Sequence, residues 1–109
     1  MTEHAALDTP AETAGLIDYQ DGAIVSRVLL KAAGGTVTLF AFDAGAALSE
    51  HTAPFDVLLQ VVEGAADVQV GGKPHCVRAD EVLRVPADVP HGVQARERFK
   101  MLLVMLWAG

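Results

Sequence analysis

A single all-β domain, closed as a barrel or stacked as a sandwich, is the fold class this sequence predicts, and three observations carry the prediction. From Leu16 onward, runs rich in Val, Leu and Phe are broken every several residues by Gly, Pro or Asp, the texture of short strands joined by tight turns. No stretch holds a helical period over a useful length, and no repeat recurs at solenoid spacing. At 109 residues the chain suits one hydrophobic core of modest size.

The elements follow in order. Residues 1 to 20 read as an N-terminal arm, and the first 14 or so, rich in Ala, Thr and acids, as a loosely held one. Thr9-Pro10-Ala11-Glu12 has the form of a capping box with proline at the first helical position, which predicts one short helical turn. His4 belongs to this arm and is assigned no chemistry. The β-domain is placed at 21–109, with strands at 24–32, 36–43, 56–63, 65–70, 74–78, 82–85, 91–96 and 99–107. Gly34-Gly35, Gly71-Gly72 and Asp80-Glu81 supply turns between them. The hairpin centred on Gly71-Gly72-Lys73 is the clearest.

In Thr36 to Phe42, Val57 to Val62 and Met101 to Trp107 the bulky side chains fall on both faces. Strands of that kind are covered on both sides. With 51% hydrophobic and only 20% charged residues, a small monomer has more apolar surface than it can hide, so a homodimer is expected to cover part of the outer face.

The charge balance excludes other partners. Fourteen acidic against eight basic residues give a net charge of −6, the wrong sign for tracking a phosphate backbone or an anionic membrane. Cys76 is the single cysteine, which excludes an internal disulfide framework and a thiolate zinc cluster and fits a reducing compartment. It reads as a small buried hydrophobe. Met1 to Ala6 lack the features of a signal peptide, and no apolar run reaches spanning length, so a cytoplasmic location is expected.

Two stretches carry the chemistry. In the first, a glycine turn at Gly45 leads to His51 at the mouth of the apolar run Val57-Leu58-Leu59-Gln60-Val61-Val62, which closes on Gly64. In the second, Pro86-Ala87-Asp88-Val89-Pro90-His91 delivers a histidine through a proline-stiffened turn into another strand. Two histidines remote in sequence are thereby expected to face one cavity.

These stretches resemble the two signature motifs of the cupins, small double-stranded β-helix or jelly-roll barrels. The first motif reads G-x5-H-x-H-x3-E-x6-G, and Gly45, His51 and Gly64 stand at matching positions; Ala53 replaces its second histidine and Val57 its glutamate. The second reads G-x5-P-x-G-x2-H-x3-N, matched by Pro86 and His91, with Asp80, Asp88 and Ala95 in place of its glycines and asparagine. The resemblance runs over residues 24 to 107 and implies a single-domain cupin jelly roll. In typical cupins the histidines and glutamate hold an Fe, Mn, Ni or Zn ion. Carried over by position, His51 and His91 remain, an incomplete ligand set, and Phe40, Ala53, Val57 and Leu59 are expected to line the pocket.

Two imidazoles fall short of the three protein ligands of catalytic zinc and of the two-His-one-carboxylate face of mononuclear iron. Glu50, Asp56 and Gln60 are expected to point away by strand alternation. His75 and Cys76 lie on a strand of uncertain register, with His75 expected in solvent. Arg84 reads as an outward residue of an alternating strand. Phe40, Phe42, Phe55, Met101, Met105 and Trp107 suit the lining of an apolar ligand cavity, but core or dimer packing explains them more cheaply. Neither Ser26 nor Ser49 sits in a nucleophile elbow, and no glycine-rich loop opens a helix, so no nucleotide cofactor is expected.

Three functions follow. The first is a small-molecule-binding cupin whose metal pocket has become a mostly apolar cavity. The second is a metal-dependent isomerase, decarboxylase or dioxygenase acting on a small organic acid or carbonyl compound. The third is a structural or regulatory dimer. The loss of two donors and a balancing charge at Ala53 and Val57 puts binding first.

Overall fold

Nine strands follow one short helical turn in a computed structural model that describes residues 7–107. The first six residues of the arm, His4 among them, lie outside the described residues. The strands are β1 (Ile24–Ala32), β2 (Gly35–Phe42), β3 (Ala47–His51), β4 (Asp56–Glu63), β5 (Ala65–Val70), β6 (Lys73–Arg78), β7 (Val82–Val85), β8 (His91–Gln94) and β9 (Phe99–Leu106). They form a five-stranded sheet in the order β1-β2-β9-β4-β7 and a four-stranded sheet in the order β3-β8-β5-β6. Every pairing is antiparallel. The two sheets stack as a jelly-roll sandwich and do not close into one hydrogen-bonded barrel.

Strand parity decides which side chains enter the interior. Val57, Leu59 and Val61 of β4 stand opposite Met105, Leu103 and Met101 of β9, and cross-strand partners share a face. Ala66, Val68 and Val93 meet them from the other sheet, and Phe42 stacks on Phe99 with centroids 4.5 Å apart.

The opposite parity faces outward and is also apolar. Part of it is covered by the chain itself: Leu16 and Ile17 bury against Leu39 and Ala41. Lys100 Nζ donates to the Ala14 carbonyl at 2.7 Å, Arg27 Nη1 to the Leu16 carbonyl at 3.0 Å, and the Tyr19 hydroxyl to Glu63 Oε2 at 2.5 Å. The remainder of the face, carrying Leu30 (66% exposed), Leu58 (45%) and Leu106 (60%), is uncovered in a single copy.

Three expectations are corrected. The helical turn is a 3₁₀ turn at Thr13–Leu16 with Glu12 at its N-cap and no side-chain cap, so Thr9 caps nothing. Its position is set by burial of Leu16, which outweighs a local capping signal. Residues 47–51, expected as loop, form β3. Cys76 is exposed: it stands opposite Asp67 on the outer parity, whereas its neighbour Val77 takes the buried place.

Candidate functional site

The two histidine-bearing loops are bonded to each other. The Asp88 N–H donates to the Ala53 carbonyl at 2.8 Å, and the Ala87 N–H donates to Asp56 Oδ1 at 2.9 Å. Asp88 takes a left-handed backbone with φ 65°, a conformation aspartate tolerates better than most residues. The chain then turns through Pro90 into β8, where His91 pairs with His51 of β3.

The ring centroids lie 4.3 Å apart with planes inclined at 55°. His51 is exposed at the rim, and His91 is buried at 9% exposure. Each ring is anchored to a backbone carbonyl two residues before it, that of His51 in β3 and that of His91 in the turn preceding β8. His51 Nδ1 lies 2.9 Å from the Ser49 carbonyl and His91 Nδ1 lies 3.0 Å from the Val89 carbonyl. A carbonyl can only accept, so in the neutral rings Nδ1 carries the proton and Nε2 keeps a lone pair.

Beneath the pair lies a cavity of about 310 Å³. Met101, Leu103 and Met105 of β9, Val57 and Leu59 of β4 and Val85 of β7 form the wall on the five-stranded sheet, and Leu48 and Val93 line it from the other sheet. Ala53, Pro54 and Phe55 shape the mouth, where Thr52 adds the one other polar side chain. None of its lining residues is Asp, Glu, Lys or Arg.

Of the expected site residues, His51, His91, Ala53, Val57 and Leu59 all line this cavity. Phe40 does not. It packs on Phe42 with centroids 6.4 Å apart and against the main core. Its strand β2 lies on the far side of β9 from β4, so β9 stands between Phe40 and the cavity. Leu48, Val85, Val93 and Leu103 were not expected there; Met101 and Met105, weighed as cavity lining but expected in core or dimer packing, line it as well, and Met101 is also part of the main core. The signal for the β9 part of the wall was present: in β9 the odd-numbered residues share the parity of Val57 once β9 is placed beside β4.

The residues present do not fit a cupin-type divalent metal. Among the described residues no three His, Cys, Asp or Glu side chains come together as a potential ligand group. Glu50 lines a groove on the other side of its sheet, and His75 and Cys76 are exposed on β6, at the opposite edge of the sheet from His51. Two uncharged nitrogen donors give such an ion neither the third ligand nor the carboxylate charge it ordinarily takes. What the arrangement offers is two hydrogen-bond acceptors over an apolar chamber.

Comparison with known proteins agrees with the fold. A search of curated proteins finds no match. Among solved structures, a cupin superfamily protein from Desulfitobacterium hafniense is 27% identical with a TM-score of 0.89, over 98% of this chain and 100% of that one. A conserved protein of unknown function from Streptococcus pyogenes is 22% identical with a TM-score of 0.89, covering 100% and 97%. A Cupin 2 conserved barrel domain protein from Leptotrichia buccalis is 38% identical with a TM-score of 0.82, over 85% of this chain and 45% of that one. A family model described as the cupin domain matches residues 38–107, the segment that contains both histidine loops and the cavity, and the chain belongs to that family.

Proposed function

We propose that this cupin is a small-molecule-binding protein whose ligand occupies the chamber between the two sheets, beside the His51–His91 pair. The observation that carries the reading is the cavity itself. Interiors pack with few voids larger than a water molecule, whereas a cavity of about 310 Å³ falls in the range of ligand pockets, about 300–1,000 Å³. Its apolar lining includes Ala53 and Val57, the two positions where the family's motif has metal ligands.

Methionine methyl NMR tests it. Adding toluene, a neutral apolar probe, is expected to move the Met101 and Met105 methyl resonances saturably. Val57→Phe fills the chamber and is expected to abolish the response. Unmoved methyls in the parent protein overturn the reading.

The runner-up, a metal-dependent cupin enzyme acting on a small organic acid or carbonyl compound, is supported by the meeting of the two imidazoles and opposed by their incomplete donor set. Metal analysis of untagged protein separates the two. A stoichiometric Fe, Mn, Ni or Zn ion that disappears in His51→Ala would put the enzyme first.

The same reading includes a homodimer. The chain's own N-terminal segment covers one part of the outer face of the five-stranded sheet, and the uncovered part presents Leu30, Leu58 and Leu106. The patch is mainly apolar, with Arg84 opposite Leu58 and Asp56 opposite Leu106 on the same face, so two copies bring together apolar surface and one charge of each sign from each copy. Sedimentation at micromolar concentration is expected to give a dimer and Leu106→Asp a monomer; a monomeric parent protein overturns this. No helix of the described residues is long and apolar enough to cross a membrane, which accords with the cytoplasmic location we propose.

A further inference from the structure

The geometry points to an uncharged single-ring phenol as the class of ligand, an inference that rests on the small-molecule-binding reading above. The mouth of the chamber sets the polar end. Both Nδ1 atoms are bonded to backbone carbonyls, so in the neutral rings both Nε2 atoms keep lone pairs, and a ligand group that meets them must donate. A phenolic hydroxyl donates; a carboxylate or phosphate would set its own lone pairs against them.

Charge sets the second limit. With no Asp, Glu, Lys or Arg in the lining, any ionised ligand enters without a counter-charge and loses its hydration unrewarded. That argues against ammonium compounds as well as organic acids, including the acids that a metal-dependent relative would turn over.

Size and surface set the third. A cavity of about 150 Å³ suffices to hold benzene, and this one measures about 310 Å³, so one ring with a small substituent fits. The β9 wall carries the thioether of Met105, with Met101 fully buried farther along the same strand, and sulfur makes favourable contacts with aromatic ring edges. A ring against the β9 wall with its hydroxyl toward His51 and His91 satisfies all three limits.

Titration of the parent protein and His51→Ala with phenol, toluene and benzoate at pH 8 tests this, read by methionine methyl shifts and by the ¹⁵N shifts of the imidazoles. Phenol is expected to move the Nε2 resonances while toluene leaves them, and benzoate is expected not to bind. The phenol-to-toluene affinity ratio is expected to fall about ten-fold in His51→Ala, the upper end for one neutral hydrogen bond. His51 is exposed, so the variant keeps its fold, and the ¹⁵N measurement needs no variant. Toluene and phenol both binding with unmoved Nε2 resonances, an unchanged ratio in His51→Ala, or benzoate binding as tightly as phenol would each refute the phenol assignment and leave the pocket reading standing. Methionine methyls that respond to none of the three overturn both.

Discussion

Asp56 accepts a hydrogen bond from the backbone N–H of Ala87 at 2.9 Å, joining the loop that follows His51 to the turn that precedes His91. The two histidines are cross-strand partners in β3 and β8, and this bond, with the Asp88-to-Ala53 bond beside it, ties together the segments that flank them. Asp56 touches no part of the cavity, so it is a positioning residue. Asp56→Ala is expected to lower stability by about 1 kcal/mol, a typical net value for one hydrogen bond, and to broaden the His51 and His91 ring resonances. Denaturant unfolding and imidazole NMR check both effects; sharp resonances at unchanged positions would show that the strands alone hold the pair.

Gly64 closes the first motif with φ +76°, and a Cβ built there would lie 2.5 Å from the Arg98 carbonyl oxygen. Backbone is on both sides of that contact, so neither partner can swing away. Gly64→Ala is expected to destabilise by about 1–3 kcal/mol, the range for a residue held in a sparsely populated backbone region, with the steric contact adding to it. Gly22→Ala is the control. It shares a left-handed φ of +71° but meets nothing within 4 Å, so its loss in a urea midpoint is expected to be the smaller of the two.

The N-terminal segment is held by Tyr19, whose hydroxyl donates to Glu63 while Lys100 and Arg98 sit over its ring, 4.8 and 5.2 Å from the centroid. Burial, then the hydrogen bond to the Glu63 carboxylate and its charge, push the phenol well above its ordinary value of 10.0. The folded state therefore keeps Tyr19 neutral at a pH where the unfolded chain ionises it. This contribution is whole below pH 10 and declines as pH rises through the folded value. Tyr19→Phe is expected to lose less stability than the parent between pH 8 and pH 11 in urea titrations, and an equal loss would contradict the coupling. Leu16→Ala, deleting a side chain only 4% exposed, is expected to cost about 2–5 kcal/mol.

The sequence made most strands legible because their turns are explicit, as at Gly71-Gly72, and because valine and leucine alternate or run between them. β3 escaped notice for a physical reason. It pairs only with β8, and of Ala47-Leu48-Ser49-Glu50-His51 only Leu48 is even partly buried, so it carries almost no hydrophobic period. Cys76 was misplaced by parity: a shift of one residue exchanges the two faces of a strand, and no local signal in Pro74-His75-Cys76 fixes the register. Phe40 needed the strand order, which depends on contacts remote in sequence. The histidine pair was readable because its two loops keep motif spacing, whereas the chamber beneath depends on which strand lies beside β4.

Restoring the missing donors tests how far the chamber has departed from a metal site. Ala53 and Val57 both line it beside His51 and His91, at the positions of the family's second histidine and glutamate. Val57→Glu alone places a carboxylate against Leu59, Met105 and Val85 with no cation to meet it. Burying an unpaired charge costs several kcal/mol or forces the group to take up a proton, so this variant is expected to unfold at lower urea than the parent. Ala53→His with Val57→Glu supplies three imidazoles and a carboxylate, and the same carboxylate then has a dication to neutralise. The double variant is expected to bind one Mn, Ni or Zn ion per chain by calorimetry and to regain much of its stability when the metal is added. If it takes up no metal while remaining folded, the strands have moved apart as well as lost their ligands. If the parent binds these ions as tightly as the double variant does, the two imidazoles suffice and the apolar-chamber reading fails.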